Sequence, residues 1–148
     1  MAAPPLRVAL DSSYIIALTA DWHAQHARTL RSHTKLEGQA EILLPLHAIA
    51  ESYSVLTRLP APYRLSAQLA SQSLSENFVK RATTVALKPE HVWRLIAELA
   101  RLGIVGSQIY DALIAASAAE AHAKVLMTWN PKHFLSIAPA GLEIREPD

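Results

Sequence analysis

Four side chains able to bind a hard cation are spread along this chain: the acids Asp11, Glu51 and Asp111 and the amide Asn130. Asp111 lies near the start of the alanine-rich stretch GSQIYDALIAASAAEAHAKVLMTWN. A charged carboxylate among apolar neighbours is costly unless it is paired with a cation or a metal ion. Asp111 is therefore a candidate for pairing with a cation or a metal ion.

Each of these residues also has a simpler explanation. Asp11 follows an apolar run and suits an N-cap position, and Glu51 has the spacing of a solvated helix face. Asp111 suits the helix macrodipole, an effect of about 0.3–1 kcal/mol. Asn130 precedes a proline, as in many turns. The chemical interpretation depends on the four residues acting together.

Other chemistries are less well supported. His23 and His26 stand three residues apart on a polar segment, but no third metal ligand and no HExxH motif accompany them. Trp129 has the chemistry to stack on a base, but the sequence favours a structural role beside a strand end. The sequence has no cysteine, no P-loop and no GxSxG motif, which excludes thiolate metal sites and several nucleotide-binding and hydrolase classes.

Length and composition predict one globular domain over residues 1–148. Hydrophobic residues make up 51% of the chain and charged residues 18%, with a net charge of +1. A nucleic-acid partner would therefore need a local basic patch. The N-terminal apolar run LRVAL is too short for a signal peptide, and no stretch is long enough to span a membrane. We expect a soluble, cytoplasmic protein.

Apolar runs and helical spacings alternate along the chain. The predicted strands are Leu6 to Leu10, Glu41 to Leu44, Ala82 to Leu87, Lys124 to Thr128 and a possible fifth, Gly141 to Glu146. The predicted helices follow Asp11 and span Asp21 to Leu36, Leu46 to Leu59, residues 63 to 80, Pro89 to Leu102, and Ser107 (as N-cap) to about Ala123. This alternation predicts a parallel sheet with helices on both sides. In such sheets the site lies beyond the carboxyl ends of the strands, where Asp11 and Thr128 to Asn130 are expected.

Helical spacing also predicts which faces are apolar. Leu46, Ile49, Tyr53 and Leu56 form one stripe, with Glu51 away from it beside His47 and Arg58. In the last helix Ile109, Leu113, Ala116 and Ala123 share a face. Asp111 lies roughly opposite, and its neighbours there are small or apolar: Ser107, Ile114, Ala115 and Ala118.

Three segments together resemble the PIN-domain ribonucleases, and most closely the toxins of VapBC-type toxin–antitoxin pairs. The segments are VALDSSYIIAL, HAIAESYSVLTRLP and GSQIYDALIAASAAEAHAKVLMTWNPKHF. The resemblance covers nearly the whole chain and is weakest over residues 61–81. It implies a three-layer α/β/α PIN-like fold with a central parallel sheet of four or five strands.

The resemblance also implies a site. Asp11, Glu51 and Asp111 match the catalytic, metal-binding acids, while Asn130 stands where many members carry a fourth acid. Ser12 and Thr128 are expected to support them. Two carboxylates about 5 Å apart repel by about 3 kcal/mol at an effective dielectric constant of about 20, so such a cluster favours a divalent cation. Oxygen-only ligands suit Mg²⁺ or Mn²⁺ better than Zn²⁺.

The function implied is that of a Mg²⁺- or Mn²⁺-dependent endoribonuclease toxin. It would hydrolyse RNA phosphodiester bonds with a metal-activated water, form a homodimer and be neutralised by a small antitoxin. Candidate RNA-binding residues are Arg28, Arg31, Lys35 and Arg58, with Lys80 and Arg81 as further cations, although any of them could simply solubilise a helix. Two alternatives stay open: a non-catalytic protein-binding module of the same fold, and a metal-dependent nuclease acting on DNA.

Overall fold

A computed structural model describes residues 2–148, which form five strands, six helices and one 3-10 turn. The strands are β1 (Leu6–Leu10), β2 (Ala40–Pro45), β3 (Thr83–Val85), β4 (Val125–Met127) and β5 (Glu143–Arg145). The helices are α1 (Ser12–Thr19), α2 (His26–Glu37), α3 (Leu46–Arg58), α4 (Ala67–Phe78), α5 (Pro89–Arg101) and α6 (Gln108–Glu120). The 3-10 turn is Pro131–Phe134.

The five strands form one parallel sheet in the order β3-β2-β1-β4-β5. Successive strands add on one side of β1 as far as β3, and the chain then returns to pair β4 on its other side. Leu10 is in register with Met127, so the carboxyl ends of β1 and β4 meet where the strand order reverses. Ligands of open α/β sheets bind at such a switch point.

The core lies on both faces of the central strands. Val8, Ala9 and Leu10 are at most 1% exposed, as expected for a parallel strand covered on two sides. The flanking helices complete the predicted three-layer α/β/α architecture. Among residues 2–148, no helix has the length and apolar character needed to cross a membrane.

Several predicted element boundaries are wrong. Residues 21–25 form turns, so α2 begins at His26 rather than Asp21. The helix predicted over residues 63–80 is shorter, because Ser66 caps α4 by accepting a hydrogen bond from the Leu69 N–H at 3.1 Å. The last helix ends at Glu120 rather than Ala123, and Ser107 precedes it without a side-chain capping bond.

The apolar stripe predicted for the helix after β2 is only partly buried. Leu56 is buried and Ile49 packs against the core, but Leu46 is 55% exposed and Tyr53 40% exposed. The other buried residues of α3 are Ala48 and Ser52. Small residues spaced four apart allow α3 to pack against α1. The spacing of hydrophobic residues in the sequence does not reveal how closely two helices pack. In α6, the face beside Asp111 is the buried one, with Ala112, Ile114, Ala115 and Ala118.

Candidate functional site

Asp11 lies at the carboxyl end of β1 and is only 3% exposed. It occupies the N-cap position of α1, but its side chain makes no capping hydrogen bond. Instead, one carboxylate oxygen accepts hydrogen bonds from Thr128 Oγ1 at 2.7 Å and Ser13 Oγ at 2.9 Å. The carboxylate is therefore fixed by two hydroxyls, and the capping explanation does not account for its side chain.

Ser12 connects Asp11 to Glu51. Its hydroxyl donates to Glu51 Oε1 at 2.6 Å and lies 3.4 Å from Asp11 Oδ1. The Glu51 side chain is 32% exposed, and His47 Nε2 stands 3.5 Å from its other oxygen. Glu51 is thus part of a side-chain network at the sheet edge rather than a freely solvated glutamate.

Asp111, in the first turn of α6, completes the acidic group. Burial and the nearby Asp11 carboxylate raise the pKa of Asp111 to about 6, Glu51 adds to the increase, and His133 and His47 oppose it. His133 Nδ1 lies 3.8 Å from Asp111 Oδ2. All three acids predicted from the sequence are therefore within electrostatic reach of one another.

The fit to a metal ion can be tested on the donor atoms. Carboxylate, amide and hydroxyl oxygens are the ligands that Mg²⁺ and Mn²⁺ prefer. Burial raises the pKa of Asp111 most, and the neighbouring Asp11 and Glu51 carboxylates raise it further. Over residues 2–148, no three acidic or histidine side chains are placed closely enough to form a ready-made metal cage. The donors fit in kind, and their closure around one ion stays a prediction.

Two clefts flank Glu51. The acid cleft, about 510 Å³, is lined by Glu51, Asp111, His47, His133, Tyr110 and Arg58, among others. The tryptophan cleft, about 500 Å³, is lined by Trp22, His23, Trp129, Asn130, Ser12, Ser13 and, again, Glu51. A third cleft of about 570 Å³ lies against α5 and α6 and contains none of the proposed ligands.

The PIN domain family matches residues 8–138 of this chain. The chain belongs to that family. It is similar to two ribonucleases of Mycobacterium tuberculosis. Ribonuclease VapC27 is 38% identical over 122 residues, which is 82% of each chain. Ribonuclease VapC40 is 33% identical over 119 residues, covering 80% of this chain and 84% of that protein.

Solved structures share the fold of this PIN domain. Mycobacterium tuberculosis VapC20, described as a toxin that cleaves the sarcin–ricin loop, superimposes with a TM-score of 0.70 at 13% identity, covering 87% of this chain and 94% of that chain. VapBC2 from Rickettsia felis, bound to a promoter DNA fragment, gives 0.69 at 20% identity, covering 97% and 100%. The predicted PIN-like fold and the resemblance to VapC proteins are confirmed.

Asn130 of this PIN domain lines a different cleft from Asp111. It is exposed, its backbone N–H donates to Thr128 Oγ1 at 2.9 Å, and it lines the tryptophan cleft. Its predicted role as a fourth metal ligand stays a prediction. Thr128 is fully buried and bonded to Asp11.

The candidate RNA-binding cations divide by position. Arg58 lines the acid cleft. The guanidinium of Arg28 lies 4.9 Å from the centroid of the Trp129 ring. Arg31 and Lys35 are exposed on α2 and line neither cleft, and Arg81 is 3.7 Å from Glu37 on α2. Of the candidate RNA-binding residues, Arg58 thus lies at the acid cleft and Arg28 beside the tryptophan cleft.

Several residues at the site are not among the sequence candidates. Ser13 could have been found because it follows Ser12 directly, and Tyr110 because it precedes Asp111. The Tyr110 ring stacks on His47 with centroids 4.8 Å apart and planes 9° apart. No sequence signal singles out Trp22, because the loop that carries it has no periodicity.

Proposed function

We propose that this PIN domain is a Mg²⁺- or Mn²⁺-dependent endoribonuclease of the VapC type. The observation that carries the proposal is the link from Asp11 through Ser12 to Glu51, with Asp111 close enough for both acids to raise its pKa. The ribonuclease names of the two Mycobacterium relatives support hydrolysis of RNA.

In this proposal Asp11, Glu51 and Asp111 hold the cation, and Asn130 offers a further oxygen. A bound divalent ion lowers the pKa of a coordinated water and stabilises charge on the phosphate. The protein's own part is to hold the acids in place: Thr128 and Ser13 fix Asp11, and Ser12 fixes Glu51. Arg58 and Arg28, on the two sides of the acids, attract the RNA backbone.

The proposal includes two protein partners and a compartment. The solved VapBC2 and VapBC-1 structures support an antitoxin partner. We propose that this partner is small, covers the acid cleft and places a basic side chain near the acids. A second copy of the chain is proposed to cover the apolar side chains along and after α5. Trp93 is 75% exposed and Val105 79% exposed, with Ile96 and Leu102 also exposed. We place the protein in the cytoplasm, where its RNA substrate is found.

The test compares wild-type protein with Asp111→Asn on an RNA substrate and on DNA of matched sequence. We expect wild type to cut only the RNA, to need Mg²⁺ or Mn²⁺, and to stop in the presence of a chelator. Asp111→Asn should be inactive while keeping the fold by circular dichroism. Cleavage retained in this variant would end the proposal. Cleavage of the DNA would favour the DNA nuclease, and no cleavage together with no Mn²⁺ binding would favour the non-catalytic module.

A further inference from the structure

The tryptophan cleft adjoins the acids but carries a different chemistry. Trp22 is 39% exposed, and its ring centroid lies 4.8 Å from that of Tyr63, so the indole is supported on one side. The apolar side chains of Ile16, Val55 and Leu59 also line the cleft. A large aromatic side chain that leaves more than a third of its surface open beside a candidate active site offers a stacking platform.

Trp129 is held in a fixed orientation at the other side of this cleft. Its indole N–H donates to Thr29 Oγ1 at 2.9 Å, and its backbone N–H donates to Ser13 Oγ at 2.9 Å. Arg28 lies against the ring, 4.9 Å from its centroid. A ring held by two contacts, on a backbone that is itself hydrogen-bonded, loses little further freedom when it binds a ligand.

Polar groups accompany the two indoles. His23 Nδ1 accepts a hydrogen bond from the Gln25 N–H at 3.1 Å, so the neutral imidazole carries its proton on Nε2 and can donate there. Asn130 adds an amide that can donate and accept. Flat apolar surfaces together with a few donors and acceptors match a nucleobase, which has two π faces and a polar edge.

We propose that the tryptophan cleft binds the base of the nucleotide next to the scissile phosphate, by stacking on Trp22 and Trp129. This rests on the proposed function. The cleft is continuous with the acids, because Ser12 and Glu51 line it, and Arg28 supplies positive charge beside it. Aromatic stacking is a general means of holding single-stranded RNA. The base and its phosphate would thus occupy neighbouring sites on the two sides of Glu51.

Binding can be tested without cleavage by intrinsic fluorescence. The chain has three tryptophans, and Trp93→Phe leaves only the two in the cleft. In an Asp111→Asn, Trp93→Phe protein, a single-stranded oligoribonucleotide should quench the emission saturably. An oligomer of the same length made of abasic nucleotides should not quench it and should bind about 5- to 150-fold more weakly, which corresponds to about 1–3 kcal/mol for one stacked base.

Substitution of Trp22 provides the second arm. Trp22→Leu in the same background should weaken RNA binding about 5- to 150-fold and leave affinity for the abasic oligomer unchanged, while Trp22→Phe should restore most of the RNA affinity. Tyr53→Leu, a matched change on the exposed side of α3, should affect neither. Thermal melts of all variants separate loss of a stacking partner from loss of fold.

The outcomes separate the base-binding cleft from the nuclease proposal. Unchanged emission on RNA binding, or equal RNA affinities of Trp22→Leu and the parent, would overturn the base-binding cleft even if wild type cuts RNA. Conversely, a wild-type protein that cuts no RNA would overturn the nuclease proposal, while the fluorescence titration would still show whether the tryptophan cleft binds a base. Saturable quenching by a protein partner but not by RNA would assign the cleft to protein binding and overturn the inference.

Discussion

Thr128 donates its hydroxyl hydrogen bond to Asp11 at 2.7 Å across 117 residues of sequence. Both side chains are buried, Thr128 fully and Asp11 to within 3%. Replacing a donor to a buried charge leaves that charge short of a partner. This one contact thus connects the stability of the sheet edge to the placement of the proposed catalytic acid.

Thr128→Val removes the hydroxyl with little change of shape. We expect the free energy of unfolding to fall by about 1–3 kcal/mol, since hydrogen bonds to charged groups contribute about that much, and RNA cleavage to fall with it. Urea unfolding measures the loss. In an Asp11→Asn background the same substitution should lower the free energy of unfolding by a smaller amount. An equal loss in the two backgrounds would contradict the hydrogen bond between Thr128 and Asp11. Thr57→Val, on the exposed surface of α3, is the matched control.

Asp111→Asn should stabilise the metal-free protein above pH 6. Burial and the nearby Asp11 carboxylate raise the pKa of Asp111 from its ordinary value of 3.8 to about 6, so the folded state holds this proton more tightly than the unfolded state does. The contribution of the group to stability is therefore greatest at low pH and is lost as pH rises to about 6. Thermal melts at pH 4 and pH 8 should show the gain mainly at pH 8, whereas Glu76→Gln should give none.

Added Mn²⁺ should make the wild-type protein more stable than Asp111→Asn. A ligand at a hundredfold excess over its dissociation constant stabilises the folded state by about 2.7 kcal/mol, so wild type should gain stability and Asp111→Asn should gain little. Calorimetric titration checks the binding directly. Equal stabilisation of the two proteins would remove Asp111 from the metal ligands.

Acid should destabilise the fold through His33, which is 4% exposed. Tyr14 Oη lies 3.1 Å from its Nδ1, and Nε2 lies 3.2 Å from Glu37. Burial lowers the pKa of His33, and Glu37 opposes this effect. The unfolded state therefore binds the proton more readily, and stability is lost as pH falls from about 6.5 through the folded pKa. His33→Gln should flatten the stability profile between pH 6.5 and 5, whereas the exposed His122→Asn should leave it unchanged.

Arg58→Ala should weaken RNA binding at low salt, because Arg58 lines the acid cleft. The slope of log affinity against log salt should become less steep by about 0.7, the value for one phosphate contact on a single strand. Filter binding of the Asp111→Asn protein over a range of salt concentrations measures this slope. Arg94→Ala, on α5, should leave the slope unchanged, and an equal effect would show that only net charge matters.

Val105→Glu should split the proposed homodimer, because a charge would be buried where Val105 is now 79% exposed. Light scattering after gel filtration should give the mass of a monomer for this variant and of a dimer for wild type. Leu135→Glu, at an equally exposed position away from α5, should remain dimeric. A monomeric wild type would remove the second copy from the proposal.

The elements that position the acids were predictable because each has a strong local signal. LRVAL followed by Asp11 is an apolar run ending in a charge, which marks a buried parallel strand with its site residue beyond it. Asp111 was recognisable because a carboxylate among alanines needs a partner. The positions of His47 and Glu51, four residues apart on one helix, also follow from spacing alone.

What the sequence did not reveal depends on contacts between distant elements. The bond that Ser13 Oγ accepts from the Trp129 N–H depends on the pairing of β1 with β4. The packing of Trp22 on Tyr63 joins two loops that have no periodicity. The predicted face of α3 included Leu56 correctly but missed Ala48 and Ser52, because close packing selects small residues and hydrophobic patterns select large ones.

The pairing of β1 with β4 also determines when the protein can become active during its own synthesis. Asp11 is translated early, but its hydroxyl partner on the far side of the switch point follows 117 residues later. A nascent chain cannot form the Thr128 hydrogen bond that fixes Asp11 until β4 has cleared the ribosomal exit tunnel. For a protein proposed to cut RNA, this order of emergence would delay activity until β4 has been made.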